Sequence, residues 1–193
     1  MDKRKLKSKK EPRPPRKITE QRLANIALHH MDRYASSAEN LRRVLERRVF
    51  KASLWHEDLD VYEAKGWIDK LIVRYVDSGL LNDLAYAETR ARSLLARGSS
   101  GRLIRMKLME KGIGDTIIDA ALEALTLDAP DPELFAAIKL ARRRKLGPFC
   151  DPDKRAENKD KHLGAMARSG FSYDMAERVI NATDADALED MIR

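Results

Sequence analysis

A glycine-centred pattern occurs twice in this chain at one register. Lys111-Gly112-Ile113-Gly114-Asp115-Thr116-Ile117-Ile118 and Ser169-Gly170-Phe171-Ser172-Tyr173-Asp174-Met175-Ala176 align when Gly112 is set on Gly170. Leu108 and Met166 then precede the glycine by four residues. Ile117 and Met175 follow it by five, and Ala121 and Val179 by nine. A fainter third copy runs through Leu41 and Leu45, with Val49 at the glycine position. A small repeated unit cannot bury its apolar face alone, so neighbouring copies stack and share it. The pattern therefore predicts a stacked helical array that presents an extended surface to a partner, and it argues against an enzyme built round one deep pocket.

The segments between these anchors read as helices. Thr19–Tyr34 places Leu23, Ile26, Ala27, His30 and Tyr34 on one face. A second helix opens at Ser36, with Glu39 three residues on as in a capping box, and carries Leu41, Val44, Leu45 and Arg48 or Val49 inward. A third runs from Leu59 to Ser78, stopped by Gly79, with a kink or break expected at Gly66. Asn82 caps the next helix, which Gly98 ends; Ser99 or Ser100 caps another, which Gly112 ends; Asp115 starts a third. Asp131-Pro132-Glu133 combines a capping carboxylate, proline at the first helical position and an acid at the positive helix end. After Gly147-Pro148, helices are expected over 153–168 and 173–181, with a short one near Asp186. No window alternates like a strand. The expected fold is all-α, with about nine helices.

Charge is unevenly placed. Residues 1–17 hold nine cations (Lys3, Arg4, Lys5, Lys7, Lys9, Lys10, Arg13, Arg16, Lys17) against Asp2 and Glu11, which is the whole formal excess of +7. With Pro12, Pro14 and Pro15 in it, this stretch is expected to be a disordered basic tail that contacts phosphates or an acidic protein face, or that simply aids solubility. A single cysteine, Cys150, excludes an internal disulfide and fits a reducing cytoplasm. Leu134 to Ile138 is the longest apolar run, far short of the ~20 residues of a membrane span. The basic start leads into no apolar stretch, so it does not read as a secretory signal.

Gly79-Leu80-Leu81-Asn82-Asp83-Leu84-Ala85-Tyr86-Ala87 is followed by Arg97-Gly98, Gly101-Arg102-Leu103-Ile104, Leu108 and Lys111-Gly112-Ile113. This signature resembles the RecX family of bacterial regulators of the recombinase RecA. The likeness is specific over residues 79–125, extends through 130–181 and is faint over 19–78. It implies three tandem three-helix repeats forming an elongated, curved array, here 18–78, 79–127 and 130–193. The first repeat departs from the pattern. It has Arg48-Val49 in place of the Lys-Gly step, and an insertion near residues 51–60 that includes Trp55. The resemblance further implies a non-enzymatic, monomeric cytoplasmic protein without cofactor. Such a protein binds the groove of the RecA–DNA filament and limits filament growth, ATP turnover and strand exchange. Two other readings stand beside it. One is a DNA-binding protein that acts independently of the recombinase on single- or double-stranded DNA; the other is a scaffold for an acidic protein.

Basic residues of the body are the site candidates. Arg43, Arg47 and Lys51 recur at four-residue spacing; Arg90 and Arg97 lie seven apart; Arg102 and Arg105 share a face; Arg142, Arg143, Arg144 and Lys145 end a helix. Each alone reads first as a solvated helix face, and the resemblance favours a binding role for the set as a whole. Tyr86 reads as packing between repeats in preference to a base-stacking platform. Trp55 reads either as a partner anchor or as a local cover of the core. His29, His30, His56 and His162 lack ligand spacing for a metal, Cys150 lacks an adjacent base, and no glycine-rich loop suits ATP.

Overall fold

The computed structural model describes residues 14–192, and among these every regular element is helical. The first unit comprises α1 (Glu20–Arg33), α2 (Ala38–Ser53) and α3 (Val61–Asp77). The second comprises α4 (Asp83–Ala96), α5 (Gly101–Met109) and α6 (Asp115–Glu123), followed by the single turn α7 (Leu125–Asp128). The third contains α8 (Pro132–Arg144), a 3-10 turn at Gly147–Phe149, the single turn α9 (Pro152–Arg155), α10 (Lys159–Arg168), α11 (Tyr173–Ile180) and α12 (Ala185–Asp190). The expected helix near Asp186 is α12, and α7 is additional.

Polar caps start most of the helices. Thr19, Ser37, Asp60, Asn82, Ser100, Asp131 and Ser172 each accept a backbone N–H of the first turn through the side chain. Several expectations shift. The cap of α2 is Ser37, not Ser36, and Glu39 turns outward to Arg42 and Arg43 instead of closing a capping box. Gly66 does not break α3, which runs on from Val61 to Asp77. The span expected as one helix over 153–168 is two, interrupted at residues 156–158. Arg48 is exposed and Val49 buried, which settles the inner stripe of α2 as Leu41, Leu45 and Val49.

One junction recurs between units. The Ser37 hydroxyl accepts Asn40 N–H and donates to the Lys111 carbonyl at 2.5 Å. In the next unit the Ser100 hydroxyl accepts Leu103 N–H and donates to the Ser169 carbonyl at 2.8 Å. Each cap thus holds the carbonyl just before the glycine that ends the equivalent helix of the next unit. A Cβ on Gly112 would overlap Glu39, and one on Gly170 would overlap Ser100; both glycines have positive φ, 75° and 88°. Close approach and left-handed backbone together demand glycine there. The same position of α2 faces no such cap among the described residues. Val49 stands there, and the helix runs on to Ser53.

Two apolar cores result. One, from Ile18 to Leu81, belongs to the first unit; the other, from Ala87 to Leu188, runs continuously through the second and third. Gly98 lets the end of α4 lie directly on α8, where a Cβ would sit 2.5 Å from the Leu140 nitrogen. Across the first junction the bonds are polar: Ser37 to Lys111, Ala38 N–H to Asp83 at 2.8 Å, and Arg43 to the Glu110 carbonyl at 2.9 Å.

Within residues 14–17, expected as part of a disordered tail, Pro15 and Lys17 have partners in the insertion. His56 Nε2 donates to the Pro15 carbonyl at 2.8 Å and Lys17 pairs with Asp58. The insertion after α2 supplies both partners. The Lys17 ammonium holds the Asp58 carboxyl below its ordinary range. Lys3, Arg4, Lys5, Lys7, Lys9, Lys10 and Arg13 lie outside the described residues.

Candidate partner and nucleic-acid interface

The basic stripe of α2 divides in function. Arg43 is engaged, with its Nε 2.8 Å from Glu39 and its Nη1 on the Glu110 carbonyl of the second unit. It latches two units together. Arg47 is exposed and shares a depression of about 540 Å³ with Lys65, Val49 and Val61. Phe50 edges the same depression and is 63% exposed. Lys51 reaches toward α1 in company with Arg48.

On α4, Arg90 is half-buried, with an Nε that has no hydrogen-bond partner. It lies near Tyr86, whose phenol is pushed up chiefly by burial, against the opposing charge of Arg90. Tyr86 packs against the larger core, as expected of a packing residue. Trp55 lies outside both cores and is half exposed, so it does not cover either.

The α8 end meets the α4 end. Arg143 donates to the Arg97 carbonyl at 2.5 Å, which ties the end of α8 to the end of α4. The linear sequence separates Arg97 from Arg143 by 46 positions and carries no signal of their meeting. Lys145 adopts a left-handed φ of 56° and caps α8. Arg142 turns away and forks onto Glu189 at 3.2 and 3.3 Å, pinning α12. Arg105 pairs with Asp119 and lies 3.8 Å from Asp115. Arg102 is exposed at the start of α5. Arg43, Arg105, Arg142 and Arg143 therefore have partners within the protein, while Arg47, Lys51, Arg97, Arg102, Arg144 and Lys145 are exposed.

A second gathering of charge is visible only in three dimensions. Arg16, Lys17, Arg22, His29, Arg48 and Lys51 line a groove of about 820 Å³ beside α1 and α2. Its one signal in the sequence is helical spacing, since Arg22 and His29 lie seven apart and Arg48 and Lys51 three apart.

His30 is held below its usual pKa of 6.5 by burial first and then by Arg47 and Arg48. His162 accepts Gly147 N–H at Nδ1, 3.1 Å away, and is also lowered, by burial and then by Lys161 and Arg155. Among the described residues no cluster of His, Cys, Asp and Glu is arranged to hold a metal ion. No described helix is long and apolar enough to cross a membrane.

Residues 82–122 match the family model for the second three-helix domain of RecX. The chain is 39% identical over 180 residues to the regulatory protein RecX of Myxococcus xanthus (strain DK1622), covering 93% of this chain and 95% of that one. It is 30% identical over 168 residues to the protein of the same name from Agrobacterium fabrum (strain C58 / ATCC 33970), covering 87% and 86%. The crystal structure of RecX from Lactobacillus salivarius superposes with a TM-score of 0.55 at 23% identity, covering 86% of this chain and 96% of that chain.

Proposed function

The chain belongs to the RecX family of regulatory proteins, and from that premise we propose that it regulates a RecA-type recombinase by binding along the recombinase–DNA filament. It limits filament growth, ATP turnover and strand exchange, as a monomer in the cytoplasm and without cofactor. The observation that carries this reading is likeness over nearly the whole length of a RecX protein, with the Gly79–Ile113 signature inside it. The tandem units suit the task physically. A helical filament repeats its surface, and this chain presents exposed charge from its first unit (Arg47) and its second (Arg97 and Arg102). The test is a titration of DNA-dependent recombinase ATPase and of filament length by the protein. Suppression of both at or below equimolar ratio is expected. If both stay unchanged, the reading is wrong.

A further inference from the structure

We propose that the groove beside α1 and α2 is a binding site for the phosphodiester backbone of a nucleic acid, one that works without the recombinase. Its charge has a single sign. Arg16, Lys17, Arg22, Arg48 and Lys51 line the groove together with His29, and among the described residues no carboxylate lines it. That is unusual in a body whose charges otherwise cancel. Asp58, the partner of Lys17, stands outside the lining. Arg16, Lys17, Arg48 and Lys51 are exposed, and the buried Arg22 Nε has no hydrogen-bond partner in the protein. One sign of charge along low-dielectric walls focuses the potential and concentrates a counter-ion there. The α1 N-terminus, capped by Thr19, opens on the same space and adds its partial positive charge.

The lining is partly apolar: Pro15, Ile18 and Ile26 share it with the cations and with Thr19, Gln21 and Asn25. Apolar surface beside positive charge matches a strand whose phosphates alternate with sugars. In the lining, the His29 imidazole is the one ring suited to base stacking, so the groove holds backbone and does not read sequence. The positive track also continues along the chain. The polypeptide enters the groove at Pro15–Lys17, fastened by His56 and Asp58. The preceding residues carry seven more cations, Lys3 to Arg13. Cations along both chain and groove fit a polymer with a charge on every residue better than an acidic peptide, whose carboxylates are sparser and irregular.

The experiment is anisotropy of a labelled single strand and a labelled duplex against the full chain across a salt series, without recombinase. Arg48→Glu with Lys51→Glu should weaken single-strand binding roughly tenfold and lower the salt slope by about 1.4, at ~0.7 for each phosphate no longer neutralised. Lys154→Glu with Lys159→Glu, an equal charge change on the third unit, should leave both near wild type. The neutral pair R48Q/K51Q should show an intermediate loss, and circular dichroism should show all variants folded. Equal losses from both charge reversals would reduce the effect to net charge and overturn the proposal. So would unaltered binding by R48E/K51E. Competition by polyglutamate as effective as by DNA at equal charge would make the groove a protein site and also overturn it. Binding to the duplex alone, still weakened by R48E/K51E, would support the groove as a backbone site and identify the duplex as its ligand. Recombinase ATPase measured on the same variants reports separately on filament regulation. Wild-type protein that binds DNA through the groove yet leaves the ATPase untouched would refute filament regulation and keep the groove.

Discussion

Ser37 and Ser100 each satisfy two backbone groups with one hydroxyl, one inside their own helix and one in the next unit. Both side chains are fully buried, so no water replaces the lost partner. Ser100→Ala is expected to destabilise by about 1–3 kcal/mol, combining a lost cap with an unsatisfied carbonyl. Ser169→Ala should change little at this junction, since only its carbonyl takes part. Urea denaturation of both variants checks the pair, and equal midpoints would mean that the junction contributes nothing to stability. His162 gives a pH dependence of known sign. Its folded pKa lies below 6.5, so on acidification the unfolded chain takes up the proton first. Its contribution is therefore complete above 6.5 and is lost as pH falls below that value, as protonation of Nδ1 ends the bond from Gly147. Denaturation midpoints should drop from about pH 7 to about pH 5, and less steeply in His162→Gln. His30, lowered by burial and then by Arg47 and Arg48, adds a loss of the same sign. A variant with the wild-type slope would clear His162 of this role.

At the scale of the element, the chain separates residues that build helices into stacks from residues that only coat them. Leu108 is wholly buried on α5, facing the core shared by the second and third units. Leu108→Ala should cost about 2–5 kcal/mol through transfer and cavity terms together. Arg97→Glu with Arg102→Glu changes two exposed side chains of adjoining helices, and each such surface change costs within ~0.5 kcal/mol. The double variant should keep its thermal midpoint yet bind the recombinase filament more weakly. Comparable loss of stability in both proteins would make those arginines structural. Helix existence was legible because caps and glycine stops are local chemistry. Missed details, such as the break at residues 156–158 and the unbroken α3 through Gly66, depend on what packs beside the helix. A propensity difference of roughly 1 kcal/mol for one glycine is easily outweighed by that packing.

At the scale of the whole molecule, the described residues form two apolar cores joined by polar bonds, and so two cooperative units are expected to open separately. In moderate urea, amides of α1–α3 should exchange hydrogen as one set, distinct from α4–α6, α8, α10 and α11. A single coincident opening would show that the Ser37, Asp83 and Arg43 bonds couple the units fully. Unit boundaries in a linear array would suggest three such sets. Gly98 lying on α8 and the core running from Ala87 to Leu188 make it two.

The amino-acid order by itself determined the all-helical class, the tandem register and the family, because each rests on short-range spacing: caps, 3.6-residue stripes and the recurring glycine stop. It also marked Arg47, Lys51, Arg97, Arg102, Arg144 and Lys145, which the structure leaves exposed. What it did not contain is which cations meet. Arg97 and Arg143 touch across 46 residues, Arg43 bonds to a carbonyl 67 residues on, and Arg22 joins Arg48 round one groove. Those encounters follow from how helices pack across units. Only the tertiary structure decides them, since a side chain's charge acts over a few ångströms of space and is indifferent to its distance along the chain.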